Sequence, residues 1–176
     1  MPILPSSYQN HKVLFNGHVQ TIFPHLFRQV EKVNYQRERL LTPDNDFIDV
    51  DWSTVGAYRL AIVCHGLEGS SEANYVRGMV RALNRAHWDV VAINYRGCSG
   101  ESNWLPRAYH SGETDDLDLL VNHALQKKAY RSVALIGFSL GGNMVLKYAG
   151  ERGSQINSAI QKVVAFSVPC NLAGSC

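Results

Sequence analysis

The 176-residue sequence has few cysteines, no long apolar run and almost no excess of charge. Its four cysteines, Cys64, Cys98, Cys170 and Cys176, show no C-x-x-C or zinc-ligand spacing, which favours free thiols in a reducing compartment. No apolar run approaches the length of a membrane span, and residues 1–12 lack the charged and apolar regions of a secretory signal. We therefore expect a cytoplasmic protein without a transmembrane segment.

The charge balance gives no indication of a nucleic-acid partner. Lys and Arg total 17 against 15 Asp and Glu, which leaves a net charge of +2 at pH 7, and no basic stripe is present. His18 and His25 have no accompanying carboxylate or cysteine, so neither a metal nor a cofactor is predicted. At 45% hydrophobic and 18% charged residues, the composition is typical of a globular domain that buries a core.

One segment carries the strongest functional pattern. The apolar run Ser132–Ile136 leads directly into Gly-Phe-Ser-Leu-Gly at Gly137–Gly141, and a helical pattern follows at once. This order of strand, sharp turn and helix is typical of a nucleophile elbow, so Ser139 is the predicted catalytic nucleophile, in a strained backbone conformation. Gly137 and Gly141 support the elbow, because a Cβ at either position would crowd the closely packed strand and helix.

Two backbone N–H groups are candidates for an oxyanion hole. One is the N–H of Leu140, the residue that follows the nucleophile. The other is the N–H of Leu67, in the loop that begins with His65 and Gly66 after an apolar strand. We assign His65 to the architecture of that loop rather than to proton transfer, because the usual chain order of a catalytic triad does not place the base there.

The rest of the chain alternates predicted strands with predicted helices. Strands are predicted at Val33–Leu41, Phe47–Ser53, Arg59–Cys64, Trp88–Asn94, Ser132–Ile136 and Lys162–Phe166. Apolar residues recur at helical spacing within Val76–Leu83 and Leu117–Leu125, which predicts a helix at each of these segments. Residues 1–30 are predicted to form an N-terminal arm with a short helix, and residues 31–176 an α/β domain. Its sheet is expected to be mostly parallel, with an antiparallel N-terminal hairpin at its edge.

The predicted hairpin carries four carboxylates within eight residues of the chain. Asp44, Asp46, Asp49 and Asp51 lie on its turn and second strand. A hairpin at the edge of a sheet commonly has one solvated face, so these carboxylates are expected to be solvated charges rather than an acid/base pair.

Several motifs together resemble the YheT-like branch of the α/β-hydrolase superfamily. The resemblance is carried by Asn16–Thr21, His65–Ser70, Asn94–Glu101, Tyr109–Thr114 and Gly137–Asn143, in that order. It implies an α/β-hydrolase-type sandwich and a serine hydrolase that acts on carboxylic esters, among them acylglycerols or other lipid esters. It also implies that Ser139 is the nucleophile and that the catalytic acid and base follow it in the chain.

The sequence departs from that pattern after Ser139, where it contains no Asp and no His, and Glu151 is its only acid. We therefore expect a partial domain that lacks the lid and the last two strands of the family's sheet. His110, on a loop at the active-site end of the sheet, is an alternative base.

Two further expectations follow from a partial domain. One alternative to an enzyme is a non-catalytic module that binds an acyl ligand or a partner chain. The open apolar edge at Val163–Phe166 would also favour self-association.

Overall fold

The computed structural model describes residues 5–9, 16–27, 29–171 and 174 of the chain. The chain divides into two compact units, Met1–Val30 and Glu31–Cys176. The first unit contains one helix, and the second contains the sheet with its covering helices among the residues described.

The helix of the first unit is α1 (Gly17–Phe27). The Asn16 side-chain oxygen accepts a hydrogen bond from the Val19 N–H at 2.9 Å, so this asparagine caps the helix start. Pro24 lies inside this continuous helix, which extends three residues beyond it. Proline removes one N–H donor, and this short helix continues without that hydrogen bond.

The second unit alternates strands and helices along the chain. Its elements are β1 (Gln36–Leu41), β2 (Phe47–Ser53), β3 (Arg59–Cys64), α2 (Asn74–Arg85), β4 (Asp89–Asn94), α3 (Asp115–Lys127), β5 (Ser132–Phe138), α4 (Leu140–Arg152) and β6 (Ile160–Phe166), with one 3₁₀ turn at Gly153–Gln155. The predicted strands match these elements to within about three residues, the usual uncertainty of element boundaries.

The described strands form one six-stranded sheet in the order β1-β2-β4-β3-β5-β6. The pairs β4–β3, β3–β5 and β5–β6 are parallel, and the pairs β1–β2 and β2–β4 are antiparallel. This arrangement confirms the predicted fold class, a mostly parallel sheet with an antiparallel N-terminal hairpin. Because β3, β4, β5 and β6 run in the same direction, the loops after their carboxyl ends meet at one edge of the sheet.

Both faces of the sheet are buried. One face packs against α3 and α4, in a core that includes Ile62, Leu120 and Met144. The other face packs against α2, in a smaller core that includes Val63 and Val80. Coverage of both faces explains why β3, β4 and β5 are almost continuously apolar rather than alternating.

The carboxylates of the hairpin are not solvated as predicted. Asp49 and Asp51 are 2% and 1% exposed, and each lies directly opposite an arginine of β1 in the antiparallel register. Arg39 donates two hydrogen bonds to Asp49 at 2.8 and 2.9 Å, and Arg37 donates two to Asp51 at the same distances. The prediction was wrong because the face of β2 that carries these carboxylates is covered. The arginines of β1 lie on it, and Ser71 and Asn94 also donate to Asp51.

Candidate active site

Ser139 lies at the junction of β5 and α4, where the sequence pattern placed an elbow. Its backbone has φ 49° and ψ −116°, in the left-handed half of conformational space that side chains other than glycine rarely adopt. Such a conformation costs about 1–3 kcal/mol and persists only where the surrounding structure holds it. The Ser139 N–H donates to the Phe166 carbonyl oxygen at 2.8 Å, so β6 helps to hold the junction in place.

Two glycines allow the strand and the helix to approach each other at this junction. A Cβ on Gly137 would collide with the carbonyl oxygen of Gly141. A Cβ on Gly141 would lie 2.6 Å from the Cys64 carbonyl oxygen, at the end of β3. Both glycines therefore serve close backbone contacts, as the sequence pattern predicted, and the first turn of α4 rests directly on the end of β3.

The loop after β3 lies beside the same junction. A Cβ on Gly66 would be 3.4 Å from the Cβ of Ser139. Gly66–Gly69 form a tight turn closed by a hydrogen bond from the Gly69 N–H to the Gly66 carbonyl oxygen at 3.1 Å, with Glu68 at φ 54°. Leu67, whose N–H was predicted to stabilise an oxyanion, occupies the exposed second position of this turn.

Two N–H groups at this site have no hydrogen-bond partner among the residues that the structure describes. They belong to Leu67, in the turn, and to Leu140, the first residue of α4. The first N–H groups of a helix have no partner within the helix and lie at the positive end of its dipole. Both groups are therefore free to donate to an anionic oxygen.

His65 holds the start of the loop and carries no charge. Its Nδ1 donates to the Gly66 carbonyl oxygen at 2.6 Å, and its Nε2 accepts from the Tyr95 N–H at 3.3 Å, so the proton is on Nδ1. Burial lowers the pKa of His65 to about 4. The expectation that His65 serves loop architecture is confirmed by these two bonds.

His110 lies on the long loop before α3 and is exposed. Its Nδ1 accepts the Gly112 N–H at 3.1 Å, and its carbonyl oxygen accepts the Glu113 N–H at 3.0 Å. No hydrogen bond joins His110 to Ser139 in the part of the chain that the structure describes. The structure thus brings Ser139, Gly66 and the two glycines of the elbow together, and among the described residues no hydrogen bond links His110 to any of them.

Two tyrosines contribute to the site without having been predicted from the sequence. The Tyr75 hydroxyl accepts the Gly66 N–H at 2.9 Å, and the Tyr109 hydroxyl accepts the Glu68 N–H at 2.7 Å. Tyr75 belongs to the first turn of α2 and Tyr109 to the loop that precedes α3. The sequence offered no local signal for either contact, because the partners are 9 and 41 residues apart.

The described residues offer no arrangement for a metal ion or a membrane span. No group of three or more His, Cys, Asp or Glu side chains within them is placed to hold a metal. No helix within the same ranges is both long enough and apolar enough to cross a bilayer.

The sheet order, together with a strained serine between a parallel strand and a helix, defines the class of α/β hydrolases. The sequence profile of the alpha/beta hydrolase fold matches residues 62–173. The chain therefore belongs to the α/β-hydrolase fold family, as its motifs indicated.

Particular relatives support this membership. YheT of Escherichia coli (strain K12), which carries the name of an esterase, is 38% identical over 159 residues, 88% of this chain. Phospholipase ABHD3 of Mus musculus is 27% identical over 97% of this chain. The chain spans 46% and 43% of the lengths of these two proteins, about half of each. Esterase Pf2001 of Pyrococcus furiosus superposes with a TM-score of 0.63 at 25% identity, over 80% of this chain and 54% of that one.

Proposed function

We propose that the chain carries the nucleophile and the oxyanion hole of a serine hydrolase that acts on carboxylic esters. The observation that carries this proposal is the exposed Ser139, held at φ 49° between β5 and α4. A hydroxyl at a strained and accessible turn, above the carboxyl ends of parallel strands, is the arrangement that acyl transfer through serine requires.

In the proposed reaction the Ser139 oxygen attacks the carbonyl carbon of the ester and gives up its proton to a base. The negative oxygen of the tetrahedral intermediate accepts hydrogen bonds from the N–H groups of Leu67 and Leu140, each worth about 3–4 kcal/mol in enzymes where such a donor was removed. The C–O bond then breaks, the alcohol leaves with a proton, and water hydrolyses the acyl group from Ser139.

The proposed reaction requires a base that accepts the Ser139 proton. His65 is excluded from the role because both of its ring nitrogens are occupied by backbone groups, the Gly66 carbonyl oxygen and the Tyr95 N–H. His110 is the candidate base that the sequence analysis named, and it would have to exchange its Gly112 contact for one to Ser139. In the wider family the acid and base are expected to follow the nucleophile, as the resemblance implies.

Lipid esters are the proposed substrate class, with acylglycerols among them. The support is the similarity to a protein named as a phospholipase, together with exposed apolar side chains near Ser139, including Leu67 at 66% and Phe166 at 40% exposure. No nucleic-acid partner, metal or cofactor is part of the proposal, and the cytoplasmic location stays a prediction.

A second candidate is a module that binds an acyl ligand or a partner chain without turnover. It is favoured by the hydrogen bonds of His65 and His110. Each accepts a backbone N–H with a ring nitrogen, and that nitrogen is then not available to accept a proton from Ser139. Such a module would keep the oxyanion pocket and bind carboxylates or esters reversibly.

A fluorophosphonate probe tests the proposal, because it reacts covalently only with an activated serine. We expect mass spectrometry of the 176-residue chain to find one adduct, on Ser139, and none in Ser139→Ala. Ser132→Ala is the matched control, since Ser132 is a partly exposed serine at the opposite end of the same strand, where it donates to Gln161. Failure of the wild-type chain to react would favour the binding module.

A further inference from the structure

The Gly66–Gly69 turn has four backbone N–H groups, and three of them are bonded. The Gly66 N–H donates to the Tyr75 hydroxyl, the Glu68 N–H to the Tyr109 hydroxyl, and the Gly69 N–H to the Gly66 carbonyl oxygen. Of these four N–H groups, only that of Leu67 has no acceptor among the described residues. The bonded groups lie on both sides of Leu67, so the turn cannot rotate without breaking one of them.

Both tyrosine rings are held in place by aromatic contacts. Tyr75 packs edge-on against Phe138, with ring centroids 4.9 Å apart, and Phe138 directly precedes Ser139. Tyr109 stacks on Tyr95 at 5.0 Å, and Tyr95 in turn contacts the His65 ring at 4.4 Å. The two hydroxyls are therefore presented to the turn from rigid positions, one of which is coupled to the elbow itself.

The hydroxyls of Tyr75 and Tyr109 keep the same hydrogen-bonding role over the pH range in which an esterase works. Burial raises the pKa of Tyr75 above its usual value and that of Tyr109 to about 12. Both groups stay protonated and neutral near pH 7–9, where neither would repel a developing negative oxygen.

We propose that Tyr75 and Tyr109 are positioning residues, which hold the Gly66–Gly69 turn so that its one unbonded N–H, that of Leu67, donates to the oxyanion. The proposal rests on the proposed function, because it assigns a task to the same site. It adds to the sequence prediction, in which only Gly66 and His65 were assigned to that loop. Neither tyrosine contacts the reacting atoms; each acts through the backbone of the turn.

Tyr75→Phe and Tyr109→Phe remove only the hydroxyl and keep the ring packing. We expect the maximal rate of fluorophosphonate labelling of Ser139 to fall about tenfold in each variant, the size of effect that one neutral hydrogen bond supports. The probe concentration at half-maximal rate should not change, because the hydroxyls do not touch the probe.

Tyr130→Phe is the matched control. Its hydroxyl also makes one hydrogen bond, donated to Asp89 at 3.1 Å, but at the opposite end of the sheet. We expect this variant to lose a similar amount of thermal stability and to keep the wild-type labelling rate. An equal loss of labelling in all three variants would show that stability alone is being measured, and would overturn the proposal.

Amide hydrogen exchange gives a readout that needs no reactivity. In the wild-type chain the Gly66 and Glu68 amides should exchange at least about tenfold more slowly than the Leu67 amide, and each should lose protection in the variant that removes its own acceptor. Rapid exchange at Gly66 and Glu68 in the wild type would overturn the proposed turn.

The two proposals fail in different ways. If the wild-type chain labels Ser139 and both Phe variants label within twofold of it, the positioning role is wrong and the serine hydrolase stands. If the wild-type chain does not label at all, the proposed function is wrong and the positioning role falls with it, while the exchange pattern still shows whether the tyrosines hold the turn.

Discussion

Ser139 combines a disfavoured backbone with close packing on both sides of the turn. Its conformation is held by the hydrogen bond to the Phe166 carbonyl oxygen and by the contact of α4 with β5 and the end of β3. Because the glycines at 137 and 141 make that contact possible, the strain at Ser139 depends on them. The residue pattern predicted this arrangement, since an elbow is a local feature of five consecutive residues.

Substitution of either glycine should disrupt the elbow. We expect Gly137→Ala or Gly141→Ala to lower the free energy of unfolding by about 3 kcal/mol, the upper end for overpacked sites, because the new Cβ meets backbone atoms that cannot rotate away. Ser139 labelling should fall as well, since α4 and the Leu140 N–H would shift. Urea denaturation measures the first effect and the fluorophosphonate rate the second.

Gly150→Ala is the control for that experiment. Gly150 lies in the same helix, α4, and a Cβ there would meet no atom within 4 Å. Alanine in a helix interior is better than glycine by about 0.5–1 kcal/mol, so this variant should be slightly more stable and fully reactive. A glycine variant at 137 or 141 as stable as Gly150→Ala would contradict close packing at these two glycines.

At the scale of elements, ion pairs between β1 and β2 hold the hairpin together, and the carboxylates of β2 are buried rather than solvated. Burial alone would raise the pKa of Asp51, but hydrogen bonds from Arg37, Ser71 and Asn94 outweigh it and leave the pKa below its usual range. The same balance, with burial outweighed mainly by Arg39, lowers the pKa of Asp49. β2 is thereby tied to β1 on one side and to β4 on the other.

These lowered pKa values predict an acid-dependent stability. A carboxyl whose pKa is lower in the folded than in the unfolded chain contributes stability that is present above its unfolded pKa and is lost as the pH falls through its folded pKa. The unfolded pKa of Asp is about 3.9. We therefore expect the melting temperature to change little between pH 7 and pH 5 and to fall steeply below about pH 4.

Asp51→Asn tests the assignment of that acid dependence. It should lower the free energy of unfolding by about 1–3 kcal/mol at pH 7, the range for a lost buried hydrogen-bond partner. It should also make the fall of the melting temperature below pH 4 shallower. Glu72→Gln is the control, because its carboxylate is 55% exposed and lies 3.7 Å from Arg77. If both variants keep the wild-type pH profile, the hairpin ion pairs do not cause the acid dependence.

At the scale of the whole molecule, the two edges of the described sheet differ in charge. β1 carries Arg37, Glu38 and Arg39, which discourage pairing with another chain. β6 has one charged residue, Lys162, and exposes Val164 at 38% and Phe166 at 40%. An apolar strand with unpaired N–H and C=O groups is a template for association, so β6 is the edge expected to bind a second copy of the chain.

Self-association through β6 should be visible at increasing concentration. We expect size-exclusion chromatography with light scattering to show a dimer that dissociates on dilution, and Val164→Lys to shift it toward the monomer by placing a charge in the pairing strand. Val55→Lys is the matched control, at a valine 47% exposed in the loop after β2. A monomer at every concentration would show that the β6 edge does not self-associate.

The sequence by itself determined the order of strands and helices and the position of Ser139, because each depends on residues close together in the chain. The parallel sheet followed from that order, since strands that alternate with helices pair in parallel. Apolar runs, helical spacing and five residues of an elbow are local patterns. Only the tertiary structure decided that Asp49 and Asp51 are buried against arginines, and that Tyr75 and Tyr109 hold the turn beside Ser139. These contacts join residues from 9 to 41 positions apart, and which of them form depends on how the strands pair and the helices pack.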